Sequence, residues 1–115
     1  MLRTLCLGLG LSLLLPRVTL ANDFPTQTRV EFVLGCMEEH GGQSYDWLYK
    51  CVCLVDAIAG EMTHDEFAEA RVFSQLRSMP GERGGVFRDP DQARSLIAKL
   101  QAVTERGKAK CLIKN

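Results

Sequence analysis

Residues 44–60 read Ser44-Tyr45-Asp46-Trp47-Leu48-Tyr49-Lys50-Cys51-Val52-Cys53-Leu54-Val55-Asp56-Ala57-Ile58-Ala59-Gly60. Trp47, Cys51, Leu54 and Ile58 fall at i, i+4, i+7 and i+11, the spacing of one face of an α-helix. Leu48, Val52 and Val55 widen that stripe. Ser44 is a natural N-cap, because its hydroxyl can accept from an otherwise unpaired N–H of the first turn. The spacing predicts a helix from Ser44 to about Ala59, ending before Gly60.

Working outward, the same period appears three more times. Val30, Phe32, Val33, Leu34 and Met37 give apolar faces to a helix from Thr26 or Thr28 to Glu39, and Gly41-Gly42 stops it. Thr63-His64-Asp65-Glu66 has the capping-box form, a hydroxyl with a carboxylate three residues later. Phe67, Ala70, Phe73, Leu76 and Met79 then point inward until Pro80-Gly81. A last helix is expected from Asp89, with Pro90 in its first turn, to Lys110. Its acids (Asp89, Asp91) and bases (Arg106, Lys108, Lys110) sit at the ends the helix dipole favours. Alternation of the β period is nowhere sustained. The expected fold class is all-α, a small four-helix bundle-like domain stapled by two disulfides.

The first 21 residues read as a cleavable secretory signal. Arg3 gives the positive start, Leu5 to Leu15 the apolar run, and Thr19-Leu20-Ala21 the small residues before cleavage. That run is too short to cross a bilayer about 30 Å thick in its hydrocarbon. Two units are therefore expected: a signal peptide over 1–21 and one domain over 22–115. Removing Arg3 and Arg17 takes the basic count from 14 to 12 against 14 acids, a mature net charge of about −2. That balance argues against nucleic acid or an anionic membrane as a main partner, because both need a clustered basic surface. No membrane insertion is expected after signal cleavage. The expected location is the periplasm, with the protein exported.

Cys36, Cys51, Cys53 and Cys111 remain in the mature chain, an even count suited to a disulfide framework in a small exported domain. Cys51 and Cys53 diverge by about 200° around their helix and cannot bridge each other without unwinding it. Cys51, on the apolar stripe, is expected to meet Cys36 across the Gly41-Gly42 turn. Cys53 is expected to meet Cys111, with the C-terminal tail folded over the polar face. The swapped pairing, Cys36 with Cys53 and Cys51 with Cys111, stays open.

No assembled catalytic set is visible. HExxH and Gly-x-Ser-x-Gly are absent, and His40 and His64 have no nucleophile or base beside them in sequence. The expectation is a non-catalytic protein without a cofactor, acting through a protein partner. The loop 80–89 lacks the Lys-Ser/Thr ending of a phosphate loop and follows a helix, not a strand. Its Glu82, Arg83, Phe87 and Arg88 have the composition of a contact surface. The competing reading is a connector whose Phe87 folds into the core. Tyr45 and Tyr49, at i and i+4, either cover Cys53 and the tail or face a partner. The alternative function is a copper or thiol-redox shuttle at Cys51-Val52-Cys53, using soft sulfur ligands.

Phe32-Val33-Leu34-Gly35-Cys36 and Tyr49 to Gly60 together are similar to the small periplasmic Tai-type immunity proteins of type VI secretion. Arg71 to Pro80, a last helix and a final cysteine extend that resemblance over most of the mature chain. It implies a helical two-disulfide protein that blocks a cell-wall-cleaving effector. The chain departs from those proteins in having no cysteine before the third helix, and in placing Cys51 and Cys53 together. Phe32 to Cys36, Gly41-Gly42-Gln43, Leu48 to Cys51 and Phe87-Arg88-Asp89 also resemble small exported proteins that accompany periplasmic quinoprotein dehydrogenases. That resemblance implies an accessory role in periplasmic oxidation. Neither assigns a catalytic residue.

Overall fold

The computed structural model describes residues 22–81 and 91–114. Among them are four helices: α1 (Thr26–Glu39), α2 (Tyr45–Glu61), α3 (His64–Ser78) and α4 (Asp91–Lys110). No strand occurs among the described residues. The sequence-predicted signal segment, the 82–88 loop and the Asp89-Pro90 helix start lie outside the described residues.

Local chemistry sets the boundaries. Gly41 and Gly42 adopt φ of 95° and 110°, a region costly for residues with a Cβ, and Gly42 N–H closes on Met37 O at 2.9 Å. The Ser44 side chain accepts from Trp47 N–H at 3.2 Å and so opens α2. The capping box forms at Thr63: its hydroxyl accepts from Glu66 N–H at 3.2 Å, and the Glu66 carboxylate accepts from Thr63 N–H at 3.0 Å. Helix α2 does not stop before Gly60 but continues to Glu61. One glycine on an exposed helical surface only weakens the helix, whereas the Thr63 cap starts a new axis and ends the old one. At the other end of the chain, Ile113 N–H reaches Lys108 O at 2.9 Å, with Leu112 at φ 59°. This six-to-one closure points Leu112 outward and buries Ile113.

Helix α2 is the centre. Helices α1 and α4 both pack on it, and α3 packs on α4. Cys36–Cys51 and the Arg29–Asp56 ion pair (2.5 Å) fix α1 antiparallel to α2. Cys53–Cys111 and Arg106–Glu61 (2.5 Å) do the same for α4. The favoured pairing of the cysteines is therefore the observed one, and the swapped pairing is not formed. The core centres on Cys51, Val55, Ile58, Phe67, Ala70 and Val103. Gly107 lets α4 come down onto α2, since a Cβ there would lie 2.8 Å from Leu54 Cδ1 and 3.3 Å from Ala57 Cβ.

Three inward expectations are corrected. Trp47 is only half buried; it lies flat on His40 at 4.0 Å between centroids, with Lys50 Nζ 4.9 Å from its ring. Phe73 and Leu76 are half buried and Met79 is exposed, because the later part of α3 has α4 on one side and, among the described residues, no helix on the other. Val30, Leu34 and Val52 stand out in solvent, because no helix among the described residues covers the far side of the α1–α2 pair.

Ion pairs join the helices at the surface, and two of their carboxylates sit below the ordinary value of 4.5. Hydrogen bonding to Arg106 lowers Glu61, and hydrogen bonding to Lys99 and to Thr63 N–H lowers Glu66. A carboxylate lowered on folding stabilises the fold above its unfolded pKa and loses that contribution as pH falls through the folded one. The melting temperature is thus expected to fall on acidification below 4.5. Glu66→Gln should flatten that fall while preserving the cap, since glutamine also serves at this position. An acid limb unchanged in Glu66→Gln would show that the Lys99 contact is fully screened by solvent.

Candidate functional site

Two surfaces have the shape of binding sites. The first is the outer face of the α1–α2 hairpin. On α1, Val30, Val33, Leu34 and Met37 follow the i, i+3, i+4, i+7 stripe, and on α2 Tyr45, Leu48, Val52 and Val55 follow i, i+3, i+7, i+10. Together they line two adjoining shallow grooves of about 290 and 360 Å³ that share Met37 and Leu48. Much of this face is in solvent: Tyr45 is 80% exposed, Tyr49 72%, Val30 51%, Leu34 49% and Val52 39%. The hydroxyphenyl groups are largely in solvent. They stand at one end of an apolar strip, with the Arg29–Asp56 pair at the other.

The second surface is a cleft of about 460 Å³ between α1 and α4. Leu54 of α2 lies at its base, and Phe32, Cys36, Phe67 and Leu100 add apolar lining. Glu31 and Glu39 stand on the α1 wall; Arg71 of α3 and Lys108 of α4 stand on the other side. The Arg71 guanidinium lies 5.5 Å from the centroid of Phe67, and Lys108 Nζ is 3.1 Å from Glu105 on its own helix. His40, stacked on Trp47, closes one end.

The candidate chemistry of the histidines resolves into structural contacts. His64 Nε2 is 3.1 Å from Thr28 Oγ1, but its Nδ1 is 3.9 Å from the fully exposed Asp65 carboxylate, beyond hydrogen-bond range. A hydroxyl–imidazole–carboxylate relay is therefore not assembled there. The His64 ring packs edge-on to Phe24, and its backbone N–H is capped by the Asp23 carboxylate at 2.9 Å. Cys51 and Cys53 belong to two different disulfides, so a Cys-x-Cys chelate or dithiol is not formed. No group of three or more His, Cys, Asp or Glu side chains converges for a metal among the described residues.

Of the sequence-predicted contact residues, Tyr45 and Tyr49 are both exposed. Glu82, Arg83, Phe87 and Arg88 lie outside the described residues. Sequence reasoning placed the apolar neighbours of Tyr45 on apolar helix faces without separating the exposed from the buried, and it missed the α1/α4 cleft altogether. No known protein family, no curated protein and no solved structure matches this chain. No helix among the described residues is long and apolar enough to cross a membrane. The two disulfides are compatible with maturation in an oxidising compartment.

Proposed function

We propose that this is a small exported, non-catalytic binding or accessory protein of the periplasm that acts through a protein partner. The observation that supports this reading is the apolar strip on the outer α1–α2 face. Five large side chains, two of them tyrosines, are left in solvent on one side of a scaffold held by disulfides. Scattered exposed apolar residues need no explanation, but a contiguous strip beside tyrosines has the composition of a contact surface. The tyrosines add large contact area at little cost in side-chain entropy. The two resemblances suggest partner classes to try first: a cell-wall-cleaving effector and a periplasmic quinoprotein dehydrogenase.

The test is site-specific photocrosslinking in the native host, with a benzophenone amino acid in place of Tyr49. One dominant adduct with a second protein is expected. Leu34→Glu should abolish it while shifting stability by no more than about 0.5 kcal/mol, since the position is on the surface. No adduct at Tyr49, or an adduct indifferent to Leu34→Glu, would remove the outer face from the proposal.

A further inference from the structure

We propose that the α1/α4 cleft is a docking groove for one amphipathic helix of a partner protein, with basic residues along one flank of its apolar stripe and acidic residues along the other. This inference stands independently of the outer face, from which α1 separates it.

Shape is the first reason. Helices α1 and α4 flank α2, and between them lies the 460 Å³ cleft. Its lining on α1 runs from Glu31 to His40, about 14 Å at 1.5 Å per residue. Anchors of a docked helix at i, i+3 or i+4 and i+7 span about 10 Å and fit within that length. Apolar surface at the base and charge at the rim match what an amphipathic helix presents.

Charge gives the second reason and selects the flanks. Carboxylates stand on the α1 wall (Glu31, Glu39) and cations on the other: Arg71, and Lys108, which is also paired with Glu105 of its own helix. A helix flanked by bases alone would meet one favourable wall and one repulsive wall, and a helix flanked by acids would do the same in mirror image. Only mixed flanks satisfy both. Turning such a helix end for end exchanges its flanks, so the same pattern also fixes the direction in which it lies.

Gly35 is the third reason. It sits inside α1, exposed, on the cleft wall between Glu31 and Glu39. A glycine inside a helix is less stable than alanine, and packing often explains it. Gly107 has such an explanation, since its Cβ would strike Leu54. Gly35 has none among the described residues: a Cβ there would meet nothing within 4 Å. Its missing side chain leaves the α1 backbone open to whatever lies in the cleft.

The experiment uses the disulfide-bonded exported chain and three fluorescent designed peptides of about 18 residues, long enough to form helix. All three share one leucine stripe; one has mixed flanks, one lysine only and one glutamate only. In fluorescence anisotropy at low salt, the mixed peptide is expected to bind about tenfold or more tighter than either other, with the margin shrinking as salt screens the walls. Gly35→Leu should weaken the mixed peptide about tenfold or more without lowering the melting temperature. Arg71→Glu with Lys108→Glu should move the preference to the lysine peptide. Equal binding of the three peptides, or undiminished binding to Gly35→Leu, would overturn the proposal. So would a dimer of the chain alone that Gly35→Leu dissociates, because the occupant would then be a second copy. The peptides leave Leu34 and Tyr49 untouched, so loss of the outer-face adduct and loss of peptide binding are separate results.

Discussion

Phe67→Ala is expected to destabilise the fold by about 4 kcal/mol, within the usual range for deleting a buried aromatic ring. Phe67 is 2% exposed and is the point where three parts of the chain meet. Its ring lies 5.0 Å from that of Phe24, which precedes α1, and 6.1 Å from that of Phe32 on α1. Helix α3 packs chiefly on α4, so these rings are its main attachment to α1. Alanine would leave a cavity under Phe24 and Phe32 that the disulfide-held hairpin cannot collapse to fill. Phe32→Ala removes the same ring area from a half-buried site and is expected to cost less. The midpoint of chemical denaturation, with the slope checked for constancy, measures both. A loss below about 1 kcal/mol for Phe67→Ala would mean that α4 alone holds α3.

The parts of this fold that were legible in the sequence are those decided within one or two turns of helix. Ser44, Gly41-Gly42 and the Thr63–Glu66 box place their boundaries through hydrogen bonds to the nearest backbone groups. Cysteine pairing was legible for a related reason: the helical period alone separates Cys51 from Cys53, and only the first shares the stripe of Leu54 and Ile58. What the period does not give is how wide an arc is covered. Val30 and Val52 are as apolar as Val33 and Val55, yet the first two are exposed and the last two buried. That difference depends on the number of helices packed around the pair, which is a property of the whole chain. Trp47 illustrates the same limit. It lies on the stripe, but His40 stacks on its ring and Lys50 reaches over it at the surface, so it is half buried without being interior. Gly35 and Gly107 look alike in sequence, each a single glycine within a helix. Only the distance to the neighbouring helix separates one that packing requires from one that it does not.

Replacing both Cys53 and Cys111 by serine is expected to cost about 4 kcal/mol, against about 3 for the Cys36 and Cys51 pair. The difference comes from the unfolded chain. The first bridge spans 58 residues and the second 15, and a longer loop loses more freedom when closed. Small domains have net stabilities of 5–15 kcal/mol, so either loss is a large share of the total. The folded state adds an asymmetry in the order of reduction. Cys51 is fully buried and Cys36 nearly so, whereas Cys53 is half exposed beside the last turn of α4. Attack by a thiolate requires access to a sulfur, so a mild reductant is expected to open Cys53–Cys111 first. That step removes the covalent tether between α4 and α2 and leaves packing and the Arg106–Glu61 pair to hold α4, while Cys36–Cys51 keeps the α1–α2 hairpin closed. Timed alkylation with mass analysis should therefore show a two-thiol species labelled at Cys53 and Cys111. Its outer α1–α2 face would be intact and its α1/α4 cleft less firmly held, so it should keep the Tyr49 adduct and bind the mixed-flank peptide more weakly. Labelling at Cys36 and Cys51 first would contradict this order and make the α2–α4 bridge the better-protected of the two.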